Sequence, residues 1–542
     1  MSALTGTTRL VRLAVRRDRV LLPVWIFAIS GVAAAVVGTY QTTIGDTASR
    51  RATATFGAAN PMTRVFDGPA SGIELGAMSM VEAYLVLAVL TALMSAQAIV
   101  RHTRQDEETG RAELIGSAVV GRHARLAAAL VVALSANLVL GLAITAALMA
   151  NGLGGLGSLA AGMSVSGLGW AFSGIAAISA QVFTTARAAN AAAGAAVGVA
   201  FLLRAVGDLL GDLAAGGVKV VSAWPSWLSP IGWGQQVRPF SEDNWEIAGL
   251  FAGLTVALVA VAVVLQSHRD VGLGMVTARP GPARAARGLR SASGLAWRLQ
   301  RVILGSWLFG VVVMSAALGS IGEGAEDLLG ENEQLTEVLS RLSPGAGMID
   351  LYFTFMMAFV SIAAAGYTVQ ALLRMRAEEA SGRLEPVLAT RVGRQRWLAS
   401  HLMIAVAGTT AILLLAGLAA GAVYGSMTGR WASTWDVLAA ALVQTPAALA
   451  LGGFVVAAFG IVPRWAGNLA WGALAAALIM GQLGAMLDLP QWVLNISPFT
   501  HVPRIPAEPF AVTPVGWLTF AALVLGALGL VAFRRRDLAI GA

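Results

Sequence analysis

The chain is a succession of continuous apolar stretches, each about 20 residues long, separated by short polar or charged segments. A run of that length matches the hydrocarbon core of a bilayer when it is helical. Lipid offers no partners for backbone polar groups, so only helices and closed barrels can cross it. Barrel strands alternate residue by residue, and these stretches do not. Hydrophobic residues make up 57% of the sequence and charged residues 12%, about half the charge of a soluble chain. The expected fold is an all-α polytopic membrane protein. Its spans fall near 20–40, 79–100, 125–150, 158–183, 191–210, 246–266, 302–320, 351–373, 399–425, 437–461, 468–488 and 513–533, about 12 transmembrane helices.

One charged island occurs twice. Residues 106–127 (DEETGRAELIGSAVVGRHARLA) match residues 378–399 (EEASGRLEPVLATRVGRQRWLA) at an offset of 272, close to half of 542. Glu107, Gly110, Arg111, Glu113, Val120, Gly121 and Arg122 meet Glu379, Gly382, Arg383, Glu385, Val392, Gly393 and Arg394. Other echoes follow: Arg19-Val20 with Arg301-Val302, Asn190 with Asn468, and Ser229-Pro230 with Ser497-Pro498. The expected organisation is two tandem six-helix bundles, 1–266 and 301–542. Residues 267–300 form an Arg/Gly/Pro-rich linker ending in an elbow helix.

Between the spans, Arg9, Arg12, Arg16 and Arg19 recur at helical spacing, as in an interfacial amphipathic helix. Residues 297–301 look like a second such helix. Residues 41–78 read as a polar loop, 321–350 as an acidic loop, and 211–245 as a Trp-rich re-entrant or surface-lying segment. Arg204 and Asp208, one helical turn apart, are expected to pair near a helix end. With both termini in the cytoplasm, most of the 37 Lys and Arg lie on the cytoplasmic side, the islands included.

Each island extends the preceding span, turns at Gly110 or Gly382, and resumes as a short helix. In the second copy Pro386 falls near its start, where a missing N–H costs little. Its basic end carries Arg122 and Arg125, or Arg391, Arg394 and Arg396. Its apolar face carries Leu114, Ile115 and Val119, or Val387, Leu388 and Val392. Such a helix either lies on headgroups or docks a partner, and its repetition favours a partner with two equivalent sites.

Much chemistry is excluded. The sequence has no cysteine, and its five histidines are scattered, so no metal site is expected. A phosphate-binding loop needs Gly-x4-Gly-Lys-Ser/Thr, whereas the sole lysine, Lys219, lies in GGVKVV. No paired carboxylates, Ser/His arrangement or His-x3-His motif suggests a catalytic residue. The basic residues form no single large patch, so no nucleic-acid partner is expected.

The elbow helix, six spans, and E-x-x-G-R-x-E followed by G-R between spans 2 and 3 resemble ABC (ATP-binding-cassette) exporter permeases of the second export class. The double-length form, with LSPIGWGQQVRPF at 228–240, resembles actinobacterial antibiotic and multidrug efflux permeases of the tetronasin-resistance type. The resemblance covers essentially the whole chain. It implies a multi-pass permease of the bacterial plasma membrane, without an ATPase site of its own. Two copies of a separate nucleotide-binding ATPase subunit would bind ATP and Mg. The islands would be coupling helices seated on that subunit, through Glu107, Gly110, Arg111, Glu113 and Arg122, and through Glu379, Gly382, Arg383, Glu385 and Arg394.

The family also implies a central path lined by spans 2, 5, 8 and 11. Here that path would include Met94, Phe201, Tyr352, Phe355, Met356, Phe359 and Met480. Its apolar, adaptable lining suits hydrophobic drugs, antibiotics or lipid-like cargo. The alternative is a proton-coupled secondary efflux transporter with 12 spans. Proton coupling normally needs acidic or His residues deep in the bundle, and Glu82, Asp208, Glu246, Asp350 and Asp488 all fall near span ends.

Overall fold

The computed structural model describes residues 2–276, 283–330, 347–483 and 490–539. The chain divides into two compact units, Met1–Gly281 and Pro282–Ala542. Almost every described element is a helix, as the continuous apolar runs require.

The first unit opens with α1 (Thr7–Arg17) and the long α2 (Leu21–Thr43). Then come α3 (Thr47–Ala59), α4 (Pro61–Phe66), α5 (Leu75–His102), α6 (Arg104–Glu108) and α7 (Arg111–Gly116). The spans α8 (Ala124–Ala150), α9 (Gly155–Val182) and α10 (Ala186–Leu209) lead to a two-residue hairpin, β1 (Asp212–Leu213) with β2 (Val220–Val221). Short α11 (Trp224–Trp227) and α12 (Pro230–Gln236) precede the last span, α13 (Glu246–Ser267).

The second unit begins with a 3₁₀ turn, Arg287–Arg290, and α14 (Ala292–Gly330). It continues with α15 (Met348–Ala380), α16 (Leu384–Leu388), α17 (Arg394–Thr428), α18 (Ser433–Leu442) and α19 (Thr445–Ile461). Next are α20 (Ala466–Leu478) with a π turn at Ile479–Leu483, α21 (Gln491–Leu494), a 3₁₀ turn Pro498–His501, and α22 (Val512–Arg535).

Among the described residues, 11 helices are long and apolar enough to span a membrane; Ala466–Gly481 is a shorter apolar helix. The span expected at 468–488 is that shorter one, and residues 484–489 lie outside the described set, as does most of the acidic loop 321–350.

Small residues and buried hydroxyls or amides hold the spans together, since lipid tails are as apolar as leucine and hydrophobicity alone does not join helices. In the first unit α8 and α9 touch backbone to backbone, so that a Cβ on Gly162 would stand 2.3 Å from the Gly141 carbonyl oxygen. Fully buried Asn137 on α8 donates to Ser95 Oγ on α5 at 2.9 Å. Thr409 of the second unit, 272 residues on, meets Thr368 of α15 at 2.6 Å. One interspan polar contact thus recurs at a matched position. Gly162→Leu is expected to separate α8 from α9 and sharply cut the yield of monodisperse protein in detergent, read by fluorescence-detected size exclusion.

Two connections differ from the sequence reading, the 41–78 loop and the second elbow. The 41–78 loop contains α3 and α4: Asp46 caps α3 by accepting from Ser49 N at 2.9 Å, and Ala54 and Ala58 are its buried positions. Two alanines supply too little apolar periodicity to see in sequence. The second elbow is not a separate helix but the start of α14. In the first unit the chain breaks after α1 at Asp18, whose carboxylate is buried against Arg101 (3.0 Å) and His102 (2.5 Å). The neutral Gln300 fills the corresponding place in α14, bonded to His401 at 2.9 Å. The Trp-rich segment folds as a cap on its unit, with Ser229 accepting from the Ile231 and Gly232 amides and donating to Ala200 O.

At that cap, away from the islands, Arg204 and Asp208 pair at 3.4 Å with no exposed side-chain surface, as their spacing predicts. Arg204 also donates to the Arg64 and Val65 carbonyls, and Ser226 donates to Asp208. Nearby, in the connection between α4 and α5, burial and then the Glu82 charge raise the Asp67 carboxyl to about 7, against a smaller opposing effect of Arg204. The folded protein therefore holds a proton that the unfolded chain releases between about pH 4 and pH 7. Stability is expected to fall as pH rises through that window, and Asp67→Asn to flatten this part of the thermal-unfolding pH profile.

Candidate functional site

The islands occupy one end of each unit. Gly110 (φ +72°) and Gly382 (φ +71°) make the turn in the left-handed region that L residues avoid. The chain then re-enters a short helix, α7 or α16. Each short helix buries one small patch, Ala112 or Leu384, at matched positions. Around it, Leu114 and Val119 are 76% and 63% exposed. Glu113, Arg111, Arg383 and Glu385 are exposed as well. Gly110→Ala and Gly382→Ala are each expected to strain the turn by about 1 kcal/mol. The expected readout is faster proteolysis at the islands with little change in the global melting temperature.

Glu107 and Glu379 do not face outward. Their side chains are 4% and 0% exposed, and each anchors an internal clamp. Glu107 receives both terminal nitrogens of Arg269, each at 2.9 Å, and Arg104 at 2.8 Å. Glu379 receives both terminal nitrogens of Arg536, at 2.5 and 2.9 Å, with Arg376 at 3.7 Å. Arg104 then reaches the Leu273 carbonyl (3.1 Å), and Arg376 the Ala539 carbonyl (2.9 Å). Arg269 and Arg536 lie just beyond the last span of each unit. The same atoms thus join the end of the second span to the exit of the sixth, twice.

Arg122, although exposed, and the half-buried Arg394 also bond within their own units. Arg122 donates to the Ser267 carbonyl at 2.7 Å, and Arg394 to the Phe533 and Arg536 carbonyls at 3.2 and 2.5 Å. They cap the C-terminal ends of α13 and α22, where unpaired carbonyls and the helix dipole favour a cation. Arg125, expected at the exposed basic end, is largely buried beside Glu107 at 3.7 Å. Of the ten island residues singled out in sequence, Gly110, Arg111, Glu113, Gly382, Arg383 and Glu385 are at the turns and outer surface. Glu107, Arg122, Glu379 and Arg394 hold the islands in place.

Sequence reading missed Arg104, Arg269, Arg376 and Arg536. A signal existed: Arg104 and Arg376 keep the 272 offset, and Arg269-Asp270 and Arg536-Asp537 each follow a sixth apolar run. The copies differ in their surroundings. Arg536 packs over the Phe459 and Phe533 rings, each 5.1 Å from the guanidinium carbon, with Trp397 against Phe533. In the first unit the N-terminal segment lies on the island, with Gly121 N donating to Thr5 O and His123 N to Ala3 O.

The expected path residues are dispersed. Met94 is 1% exposed within the first unit's core, so it packs between helices; the open face of α5 instead carries Glu82, Val86 and Gln97. Phe201 is half-buried, 6.4 Å from Phe66 and stacked under Arg204 at 5.0 Å. Tyr352 bonds the Leu318 carbonyl at 2.7 Å and Met356 packs on the core, both partly buried. Phe355 and Phe359 are 37% and 39% exposed on one face of α15, 6.3 Å apart. Met480 lies partly buried in the π turn after α20.

Comparison with known proteins bears on this architecture. Residues 289–534 match the family described as "Multidrug efflux system permease Rv1217c, C-terminal domain". Over 538 residues the chain is 37% identical to the "Multidrug efflux system permease protein Rv1217c" of Mycobacterium tuberculosis, covering 99% of this chain and 96% of that protein. The chain belongs to the Rv1217c family of multidrug efflux permeases. It is a multi-pass membrane permease.

Proposed function

We propose that this permease is the membrane-spanning subunit of an ATP-driven ABC exporter of the second export class, resembling tetronasin-type antibiotic efflux permeases. Two copies of a separate ATPase, carrying ATP and Mg, dock on the two islands from the cytoplasm of a bacterial cell. Both termini lie on that side of the plasma membrane. The observation that carries this reading is the repeated build of the islands. Each is a glycine-turned short helix with an exposed outer face, held by a buried Glu–Arg clamp to the exit of its unit's last span. A helix held so firmly can pass a push from a partner into the spans, whereas a loose headgroup-bound helix cannot.

Hydrophobic drugs or lipid-like compounds are the proposed cargo. The relative's name as a multidrug efflux permease and the exposed Phe355–Phe359 face of α15 support it. Co-expression with the ATPase encoded nearest to it, followed by purification, is expected to give one permease to two ATPase chains. Inverted vesicles are expected to accumulate a hydrophobic dye on ATP addition, with a protonophore present. Accumulation driven by a proton gradient without ATP would support the secondary transporter and overturn the proposal.

A further inference from the structure

A cleft of about 380 Å³ opens under α1 at the island end of the first unit. Its lining combines apolar residues, Leu10 and Leu13 of α1 and Ile115 of α7, with three arginines, Arg17, Arg111 and Arg125. One carboxylate lines it, Asp106, which Arg17 already engages at 2.6 Å with Arg111 at 3.8 Å. His102, also in the lining, is bonded to Asp18. The cleft therefore has more cations than anions.

Arg125 makes the imbalance specific. Glu107, its nearest carboxylate, is filled by the two-pronged Arg269 and by Arg104, leaving Arg125 at 3.7 Å. Arg125 Nη1 is buried and has no hydrogen-bond partner among the described residues. A buried guanidinium with an unmet donor is unfavourable unless an anion reaches it. The fold itself does not demand this cation. At the matched position of the second unit stands Trp397, packed on Phe533 and His401, and at the place of Arg17 stands Leu299.

The geometry points to an anionic phospholipid in this cleft, its phosphate between Arg125, Arg17 and Arg111 and its acyl chain along Leu10, Leu13 and Ile115. Charge complementarity selects an anion, and the apolar residues lining the same cleft beside an amphipathic helix select one with a hydrocarbon tail. The site belongs to the first unit alone, and it does not depend on ATP coupling.

The test uses the full chain in detergent after extensive delipidation. Thermal unfolding is followed while dioctanoyl-phosphatidylglycerol, dioctanoyl-phosphatidylcholine or inorganic phosphate is titrated. Phosphatidylglycerol is expected to raise the melting temperature saturably, and the other two to do so weakly or not at all. Arg125→Gln is expected to weaken the phosphatidylglycerol response about tenfold, the loss of one charge-assisted contact. Arg111→Gln, at an exposed side chain that does not endanger folding, is expected to weaken it in the same direction. Arg383→Gln, its counterpart in the second unit, is expected to leave it intact. Equal responses to the two lipids, a full response to phosphate alone, or an unchanged response in both Arg125→Gln and Arg111→Gln would each overturn the assignment.

Discussion

Glu379→Gln is expected to abolish efflux and lower the unfolding midpoint of the purified chain, because it removes the negative charge that two largely buried arginines share. Arg536 keeps at most one of its two bonds (2.5 and 2.9 Å), because the amide NH2 is a donor facing a donor, and Arg376 loses its ion pair in a site where Glu379 is fully buried. Removing one partner of a buried pair typically costs about 3–5 kcal/mol, most of it the cost of the charge left behind. Arg536→Met removes the other partner, with the Phe459 and Phe533 rings available to pack against the methionine. The double variant Glu379→Gln/Arg536→Met is therefore expected to be more stable than the sum of the single losses, with a coupling of about 1–3 kcal/mol. Additive losses in chemical denaturation would show that Glu379 and Arg536 do not act as a coupled unit. Efflux is expected to stay low in the double variant even where stability recovers, since the island is no longer tied to α22. A variant that recovered both would have a purely structural clamp.

Leu114→Asp is expected to release the proposed ATPase from the first island while leaving the permease folded. Leu114 is 76% exposed, so the change buries no charge in the unit itself and costs little stability. On a docked face the same aspartate would be desolvated without a partner, a penalty of several kcal/mol and thus a loss of affinity of more than about a hundredfold. Because the second island keeps its own face, co-purification is expected to fall from two ATPase chains per permease toward one. Retention of two chains would place the docking surface elsewhere. The N-terminal segment laid on Gly121 has no matched contact at Gly393 among the described residues, where a Cβ would meet open space. The two islands are thus expected to differ in how readily they lose the partner.

Much of this architecture is local and was therefore visible along the chain. Continuous apolar runs long enough to cross a bilayer specify helices wherever they occur, and 11 such helices appear among the described residues. Glycines at 110 and 382 announce turns because only glycine enters the left-handed region without strain. The 272-residue offset pairs the two islands along the chain. Which charges face inward was not local. Glu107 and Arg269 are 162 positions apart, Glu379 and Arg536 157. A run of charges between two spans looks the same whether its members meet solvent or each other. Only the return of the sixth span to the end of the second made Glu107 and Glu379 buried clamps and gave Arg122 and Arg394 helix ends to cap. The same packing buried Arg125 without a full set of partners where the other unit buries Trp397, an asymmetry that near-identical islands conceal.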